Sequence, residues 1–283
     1  MIFEETYSLS NGVDILKLGL GTWFIDDDKA AAAVESAIHL GYRNIDTAQA
    51  YGNERGVGEG LRSSGINREA IFLSTKLAAE IKDYDAATAA IDESLGKLGV
   101  EYVDLFLIHS PQPWADFRGG DYKDGNLAAW RALEDAYEAG KARAIGVSNF
   151  QEADINNLLE NASVTPHVNQ ILVHAGNTPS ALIDFCQNHD IVVQAYSPIA
   201  HGAILDNPAV ITLAEKYQVS VPQLCIRYTI QLGTVSLPKT ANPDHMRENA
   251  QLDFEISAAD METLKNLEDR DYGEFSVFPV YNK

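Results

Sequence analysis

Residues 103–109 read VDLFLIH and residues 142–148 read ARAIGVS, and between them Trp130, Leu133 and Tyr137 recur at helical spacing. Runs that are apolar at nearly every position are typical of strands buried on both faces, as in parallel sheets. A strand, a helix and a second strand in this order form a βαβ unit. This stretch therefore predicts a parallel sheet with helices packed against it.

The same alternation extends from this stretch towards both ends of the chain. Short apolar runs predict eight strands, at residues 16–20, 44–46, 71–76, 103–109, 142–148, 167–170, 191–196 and 234–238. Eight strand–helix units allow the sheet to close into an α/β fold of the (β/α)8 TIM barrel type, and an open doubly wound sheet is the alternative. No shift in composition divides the chain, so we expect residues 1–283 to form one barrel domain.

An N-terminal β-hairpin is predicted to precede the barrel. Asn11 and Gly12 separate residues 6–9 from residues 13–16, and Asn-Gly is the favoured sequence for a two-residue hairpin turn. Within the barrel, Gly41 and Gly140 follow helical segments, which predicts left-handed helix ends at both positions.

Three segments stand apart from the alternation. Residues 56–60 read GVGEG, but they follow no strand and do not fit G-x-G-x-x-G, so we interpret them as helix packing or the start of a helix. Residues 111–126 are predicted to form a loop, and residues 273–283 form an aromatic tail. Long loops in compact domains often carry function, which makes the last two segments candidates for the site.

Composition excludes several classes of function. The formal net charge is −20, from 41 acidic and 21 basic residues, and such a surface repels nucleic-acid phosphates and anionic membranes. Cys186 and Cys225 lie in apolar segments without metal-ligand spacing, so we expect inert buried thiols and no metal. The first ten residues lack the pattern of a signal peptide, and a cytoplasmic location is expected.

Polar residues follow most of the predicted strands, where the carboxyl ends of a parallel barrel come together. These residues are Asp46 with Tyr51 just beyond it, Lys76, His109, Ser148 and Asn149, Asn169 and Gln170, Tyr196 and Ser197, and Lys239 and Thr240. A polar group at the end of an apolar strand is costly to bury without a partner. Their recurrence on one rim predicts a shared cavity.

Four of these residues form a plausible acid–base group. Lys76 would lower the pKa of Tyr51 as a nearby ammonium, and Asp46 would hold Lys76 charged. His109 would donate a hydrogen bond to a substrate oxygen as negative charge develops. This group suits proton transfer to a carbonyl oxygen while hydride arrives from a cofactor. The alternative for Lys76 alone is Schiff-base formation, as in barrel aldolases.

Long motifs carry a resemblance to a known family. Residues 41–48 read GYRNIDTA, residues 51–54 YGNE, residues 105–111 LFLIHSP and residues 144–150 AIGVSNF, and residues 168–170 VNQ, 237–240 LPKT and 247–249 REN follow in order. From about residue 19 to residue 256 the chain resembles the aldo-keto reductase family, in particular the prokaryotic branch that includes diketogluconate and glyoxal reductases.

The resemblance implies a barrel without a metal that binds NADPH and reduces a small carbonyl compound, usually as a monomer. It implies that Tyr51 is the general acid, assisted by Asp46 and Lys76, and that His109 orients the carbonyl group. The implied cofactor residues are Gly21, Thr22, Ser148, Asn149, Gln170, Tyr196, Ser197, Lys239, Thr240, His245, Glu248 and Asn249. The implied substrate residues are Trp23, Ser110 and Trp114, together with the C-terminal tail.

Two positions depart from the pattern of the family. Ser110 stands where many relatives have tryptophan, and Trp114 is a candidate to replace that aromatic wall. His245 stands where the family usually has an arginine that faces the 2′-phosphate of NADPH. Because histidine is mostly neutral at pH 7, we expect a weakened preference for NADPH and measurable use of NADH.

The sequence leaves a second class of function open. The first hypothesis is a reductase of aldehydes, α-ketoaldehydes or small ketones. The alternative is a regulatory module that binds the nicotinamide cofactor as a redox sensor with little turnover. The complete set of four acid–base residues favours the enzyme. The other histidines of the later segments, His174, His189 and His201, are interpreted as structural or exposed.

Overall fold

The structure, a computed structural model, describes residues 1–281. Within these residues the chain forms ten β-strands and ten α-helices. The strands are β1 (Thr6–Ser8), β2 (Asp14–Leu16), β3 (Leu20–Gly21), β4 (Asn44–Asp46), β5 (Phe72–Leu77), β6 (Val103–Ile108), β7 (Ala142–Ser148), β8 (Val168–Leu172), β9 (Val192–Tyr196) and β10 (Val235–Leu237). The helices are α1 (Asp27–Leu40), α2 (Glu54–Ser63), α3 (Tyr84–Leu98), α4 (Lys123–Glu138), α5 (Glu152–Asn161), α6 (Ser180–Asn188), α7 (Pro208–Tyr217), α8 (Val221–Gln231), α9 (Pro243–Asn249) and α10 (Ala258–Lys265).

Strands β3 to β10 form a parallel barrel in chain order. The barrel closes between its first and last strands, because Leu18 pairs with Ser236 and Gly21 pairs with Lys239. The backbone N–H of Gly19 donates to the carbonyl of Ser236 at 2.9 Å across this seam. These bridges join the two strands that would otherwise be the edges of the eight-stranded sheet. The predicted TIM barrel is confirmed, and the open doubly wound sheet is wrong.

The predicted boundary of the first barrel strand was wrong. Residues 16–20 were expected as one strand, but Leu16 ends the hairpin strand β2 and the barrel strand is only Leu20–Gly21. The intervening residues cross from the hairpin to the barrel and meet β10 through single bridges, which local hydrophobicity does not reveal. The other seven predicted strands differ from the observed ones by at most two residues at either end.

Side chains alternate between the barrel interior and the helical layer, as strand geometry requires. In β6, Leu105 and Leu107 pack inside the barrel, whereas Phe106 and Ile108 pack in the cluster shared with the helices. In β5, Phe72 belongs to the interior cluster, and Lys76 follows it by four residues, on the same side of the strand. The period of two therefore directs the lysine into the barrel.

The hairpin β1–β2 covers the amino-terminal end of the barrel. Leu9 and Ile15 pack against the interior residues that β6 and β8 contribute. The predicted two-residue turn was wrong: the N–H of Leu9 donates to the carbonyl of Val13 at 2.8 Å, which leaves a three-residue loop. Gly12 takes the left-handed position of this loop, with φ +82°. Asn-Gly here ends a type I turn with a bulge, a common alternative for hairpins.

The glycines of α2 allow close helix packing, as the sequence predicted. A Cβ atom on Gly58 would lie 1.9 Å from the carbonyl oxygen of Leu98 in α3, and one on Gly60 would lie 2.6 Å from that of Ala31 in α1. Glycine is therefore required for α2 to approach both neighbours. The predicted left-handed glycines after α1 and α4 are confirmed at Gly41 and Gly140, with φ of 110° and 74°.

The two irregular segments lie at the carboxyl end of the barrel. The loop predicted at residues 111–126 is shorter than expected, because α4 begins at Lys123. The tail folds into 3₁₀ turns at Gly273–Val277 and Pro279–Tyr281, and Asn282 and Lys283 lie outside the described residues. Both cysteines are buried and free, as expected. No helix in residues 1–281 is long and apolar enough to cross a membrane.

Candidate active site

Asp46, Tyr51 and Lys76 meet at the carboxyl end of the barrel. Asp46 ends β4, Lys76 lies near the end of β5, and Tyr51 ends a 3₁₀ turn that follows β4. The Nζ atom of Lys76 lies 2.7 Å from Oδ2 of Asp46 and 3.1 Å from the hydroxyl oxygen of Tyr51. Three residues separated by up to 30 positions in sequence are thus joined through one ammonium group.

The hydrogen bonds of Lys76 fix the direction of the Tyr51 proton. Lys76 is fully buried and donates to Asp46, to the carbonyl of Thr47 at 2.8 Å and to the oxygen of Tyr51. An ammonium has three donors and no acceptor, so these bonds use all of them. Tyr51 therefore accepts from Lys76, and within residues 1–281 its own hydrogen has no acceptor. That hydrogen is free to point into the adjoining cavity.

Burial opposes the pKa change that the sequence suggested for Tyr51. Burial, followed by the charge of Asp46, raises the pKa of Tyr51 well above its usual value, so the group is a neutral phenol. Burial also lowers the pKa of Lys76, and Asp46 opposes this shift. The expectation that the pKa of Tyr51 would be lowered is wrong for this state, because burial and the charge of Asp46 both disfavour the phenolate.

His109 directly follows β6 and borders the same cavity. Its ring meets Tyr51 edge to face, with centroids 5.6 Å apart, and packs against Trp114 in the same manner at 5.1 Å. Burial, assisted by the charge of Lys76, lowers the pKa of His109 well below its usual value. The imidazole is therefore neutral at pH 7, and one ring nitrogen carries a hydrogen that can be donated.

Four of the implied cofactor residues form a hydrogen-bonded group beside the acid–base residues. Ser148 Oγ donates to the carbonyl of Gln170 at 2.8 Å, and Gln170 Nε2 donates to Oδ1 of Asp46 at 2.8 Å. Tyr196 donates its hydroxyl hydrogen to Oδ1 of Asn149 at 2.7 Å. Asn149 adopts a left-handed backbone conformation with φ 61°, which turns the chain back into the cavity after β7.

A cavity of about 590 Å³ joins these groups at the carboxyl end of the barrel. Most of the predicted site residues border it: Gly21, Thr22, Trp23, Asp46, Tyr51, His109, Trp114, Ser148, Asn149, Gln170, Tyr196, Ser197 and Lys239. Its size lies within the range of small-molecule sites in proteins. The sequence argument from strand ends therefore locates the cavity correctly.

Some predicted site residues lie outside the cavity lining. Lys76 lies behind Tyr51. Ser110 is buried, and its backbone carbonyl accepts a hydrogen bond from Nζ of Lys82 at 2.7 Å. The structure therefore does not bring Ser110 to the substrate space. A group at the outer end of the barrel also lies beyond the lining: Thr240, His245, Glu248 and Asn249. His245 is exposed on α9, and Arg247 pairs with Asp244 at 2.7 Å.

Sequence reasoning missed several residues of the cavity lining, among them His201, and did not say which residues of the tail would border the cavity. His201, which was interpreted as structural or exposed, borders the cavity and stacks on Phe275 with centroids 4.2 Å apart. The tail was expected near the substrate, and Phe278 and Tyr281 do border the cavity. The position of His201 in the loop directly after Tyr196 and Ser197 was the signal that could have found it.

The residues present fit a nicotinamide cofactor. Amide and hydroxyl groups of Asn149, Gln170 and Ser148 suit a carboxamide, and the ring of Tyr196 borders the same space. Lys239 supplies a cation farther along the lining, where phosphate oxygens would need one. Among residues 1–281, no group of histidine, cysteine and acidic side chains is placed to hold a metal ion.

Comparison with known proteins agrees with this fold. The profile of the Aldo/keto reductase family matches residues 17–269. The chain is 41% identical to a glyoxal reductase of Bacillus subtilis over 267 residues, which are 93% of each protein. It is similar to the crystal structure of an aldo/keto reductase from Brucella melitensis, with a TM-score of 0.88, 40% identity and coverage of 95% of this chain and 99% of that one.

A third similar structure contains a cofactor. The aldo-keto reductase of Bombyx mori, in complex with NADP, matches with a TM-score of 0.87 and 33% identity over 99% of both chains. The chain therefore belongs to the aldo-keto reductase family. Members of this family are oxidoreductases that use nicotinamide cofactors, and membership supports carbonyl reduction in general.

Proposed function

We propose that this protein reduces aldehydes, α-ketoaldehydes or small ketones to alcohols, with Tyr51 as the proton donor. The observation that carries the proposal is the saturation of Lys76, which makes Tyr51 an acceptor towards the lysine and leaves its own hydrogen for the cavity. The same saturation and complete burial argue against a Schiff base on Lys76, because a substrate carbon has no path to its nitrogen.

The cofactor, NADPH with measurable use of NADH, supplies hydride to the carbonyl carbon when it is bound. Neutral His109 donates a hydrogen bond to the carbonyl oxygen and holds it near Tyr51. As negative charge grows on that oxygen, the O–H bond of Tyr51 breaks and the new alcohol O–H bond forms. A raised phenol pKa does not prevent this step, because an alkoxide is a much stronger base than a phenolate.

The remaining groups position Tyr51 and balance the negative charge that it acquires when it gives up its proton. The Tyr51 phenolate that results lies 3.1 Å from the ammonium of Lys76, which stabilises it until a proton returns from cavity water. Asp46 holds that ammonium in place at 2.7 Å. The aromatic side chains of Trp23 and Trp114 form walls for the substrate. In this proposal residues 1–283 act as one barrel domain and as a monomer.

Cofactor choice follows from the outer end of the site. Lys239 and Thr240 follow β10 and suit the 2′-phosphate of NADPH, which keeps that cofactor preferred. His245 is the position where an arginine would pair with the phosphate through two parallel hydrogen bonds. Arg247 does not replace it, since its guanidinium is held by Asp244.

The test follows NADPH absorbance during addition of methylglyoxal, phenylglyoxal or a simple aromatic aldehyde. Wild type is expected to consume NADPH, and Tyr51→Phe to lower kcat by about 10³-fold with unchanged cofactor binding, since only the acidic hydrogen is removed. Tyr228→Phe is the matched control, because it removes a hydroxyl that bonds Thr178 outside the cavity lining. Binding of NADPH without turnover of any carbonyl would instead favour the redox sensor.

A further inference from the structure

A glutamine inside the barrel, Gln194, lies one layer below the cavity. It belongs to β9, is fully buried, and pairs in register with Gln170 of β8. Gln170 borders the cavity, as does Tyr196 two positions further along β9, whereas Gln194 does not. Oε1 of Gln194 accepts a hydrogen bond from Nε2 of Gln170 at 3.0 Å. A polar side chain of the barrel interior thus supports a residue of the proposed cofactor site from below.

The hydrogen bonds of Gln170 fix the direction in which its amide group faces. Nε2 of Gln170 also donates to Oδ1 of Asp46 at 2.8 Å, across the barrel. A carboxylate only accepts hydrogen bonds, so the nitrogen of Gln170 and not its oxygen faces Asp46. The two hydrogens of this nitrogen are then taken by Asp46 and by Gln194. Within residues 1–281 no hydrogen bond reaches Oε1 of Gln170, and this oxygen is available to a donor in the cavity.

The same constraint leaves the other end of Gln194 unpaired. Because Gln170 presents hydrogens, Gln194 must present its oxygen, and its own Nε2 has no hydrogen-bond partner within residues 1–281. A buried donor without a partner costs free energy. Val168 and Val192, the interior residues two positions earlier on the same two strands, are apolar and avoid this cost. Stability alone therefore does not account for a glutamine at position 194, whereas its hydrogen bond with Gln170 does.

We infer that Gln194 is a positioning residue, which holds Gln170 with its amide oxygen available to the carboxamide nitrogen of the nicotinamide. The inference rests on the proposed function, because it takes a nicotinamide as the group that Gln170 meets. Without the acceptor of Gln194, the amide of Gln170 keeps only Asp46 and is free to turn. Orientation before binding reduces the freedom that is lost on binding, so Gln194 strengthens cofactor affinity. Gln194 forms no hydrogen bond with the acid–base residues, and proton transfer does not depend on it.

Equilibrium binding of NADPH to Gln194→Met, measured by quenching of tryptophan fluorescence, tests this role. Methionine keeps the length of the side chain and removes the amide acceptor. NADPH is expected to bind about three- to tenfold more weakly than to wild type, the effect of one hydrogen bond. With saturating NADPH, kcat is expected to stay within about twofold of wild type, because the loss is one of binding.

Gln194→Glu tests whether the acceptor itself is what matters. At about pH 6 a carboxyl group buried beside Asp46 is neutral, and its C=O oxygen still accepts from Gln170. NADPH affinity of this variant at that pH is expected to stay within about twofold of wild type. If Gln194→Glu weakens NADPH binding as much as Gln194→Met does, the acceptor has no part in it and the inference is wrong.

A matched ligand and a matched variant separate positioning from general damage to the barrel. Adenosine 2′,5′-bisphosphate carries the adenosine half of NADPH without a carboxamide, and calorimetry is expected to give equal affinities for wild type and Gln194→Met. Ser74→Ala removes another fully buried and unpaired polar atom on β5, at an interior position, and is expected to leave NADPH affinity unchanged.

Two further results overturn the role of Gln194. One is unchanged NADPH affinity in Gln194→Met, and the other is equal weakening of the bisphosphate and of NADPH in that variant. If wild type binds NADPH and reduces carbonyls while either result is obtained, this inference fails alone. If wild type binds neither NADPH nor NADH, the proposed function fails with it.

Discussion

Two buried aspartates at opposite ends of the barrel wall show how similar ion pairs can serve different purposes. Asp46 ends β4 and pairs with the fully buried Lys76 beside the cavity. Asp104 lies at the start of β6, is 1% exposed, and pairs with Arg68 at 2.7 Å and Arg143 at 2.8 Å. Only the first of these pairs adjoins the cavity.

The two clusters differ in the type of cation that pairs with the aspartate and in whether a hydrogen remains available beside the cavity. The carboxylate of Asp104 accepts hydrogen bonds from its two arginines and from the backbone N–H of Leu73 at 2.9 Å, which ties the start of β5 to β6. Arginine keeps its charge under all ordinary conditions, whereas a buried lysine changes its pKa readily. In the Asp46 cluster, the hydrogen bonds lead to the phenol of Tyr51, whose own hydrogen has no acceptor within residues 1–281. We therefore interpret the Asp104 cluster as structural and the Asp46 cluster as chemical.

Among substitutions that compare the two clusters, Asp46→Asn is expected to have the largest effect, and that effect is on turnover. Burial already lowers the pKa of Lys76 and Asp46 opposes it, so loss of the carboxylate lowers that pKa further. The ammonium is then lost at a lower pH, and the alkaline limb of the kcat–pH profile is expected to move to lower pH. At neutral pH we expect kcat to fall on the order of 10²-fold. The free energy of unfolding is expected to fall by less than in a variant that leaves a charged cation without its partner, because Lys76 can release its proton.

A pH profile of kcat for wild type and Asp46→Asn makes this measurement. The same substitution at the other end, Asp104→Asn, is its control and is expected to leave the profile in place. If the alkaline limb of Asp46→Asn coincides with that of wild type, Asp46 does not act through the charge of Lys76, and the contrast between the two clusters disappears.

The next effect is that of Asp104→Asn on stability. It leaves two arginines that cannot neutralise themselves, and partial exposure of Arg68 and Arg143 moderates the loss. We expect the free energy of unfolding to fall by about 2–3 kcal/mol, below the usual cost of breaking a fully buried pair. Denaturant unfolding measures it, and kcat of the folded variant should match wild type. A large loss of kcat with little loss of stability would reverse our assignment of the two clusters.

The smallest effect concerns the exposed outer part of the site, where charges are screened by water. His245→Arg is expected to raise the ratio of kcat/KM for NADPH over that for NADH by about three- to tenfold. His245→Gln, which has no charge, should stay near the wild-type ratio. Steady-state kinetics with both cofactors give the ratios. A wild-type preference as strong as that of arginine-bearing relatives would remove the basis for this prediction.

Much of the fold follows from local pattern, and the exceptions have physical causes. Apolar runs located seven barrel strands to within two residues, because continuous hydrophobicity marks strands buried on both faces. The first strand was misplaced, since Leu20–Gly21 is held mainly by partners that lie far along the chain. Turn chemistry alone did not separate a two-residue turn from the three-residue loop that ends at Gly12, because both tolerate glycine there.

The candidate site was predictable where it depends on strand ends and less so where it depends on loops. Tyr51, Lys76 and His109 follow from their positions at or after the carboxyl ends of strands and from the motifs around them. His201 and Ser110 were placed wrongly because left-handed loop residues and buried carbonyls set their directions, and sequence spacing does not encode either. The pKa of Tyr51 was also misjudged, since the extent of desolvation depends on atoms from many elements.

The sequence by itself determined the period of strands and helices, the family, and the identity of the polar residues at the carboxyl ends of the strands. These are local properties, fixed by side-chain chemistry and spacing. Only the tertiary structure decided that Lys76 donates all three of its hydrogens, that Asp104 pairs with two arginines, and that Tyr281 forms hydrogen bonds with Ser197 and His201. These hydrogen bonds join residues up to 84 positions apart, and their distances are set by the packing of the strands, loops and tail against one another.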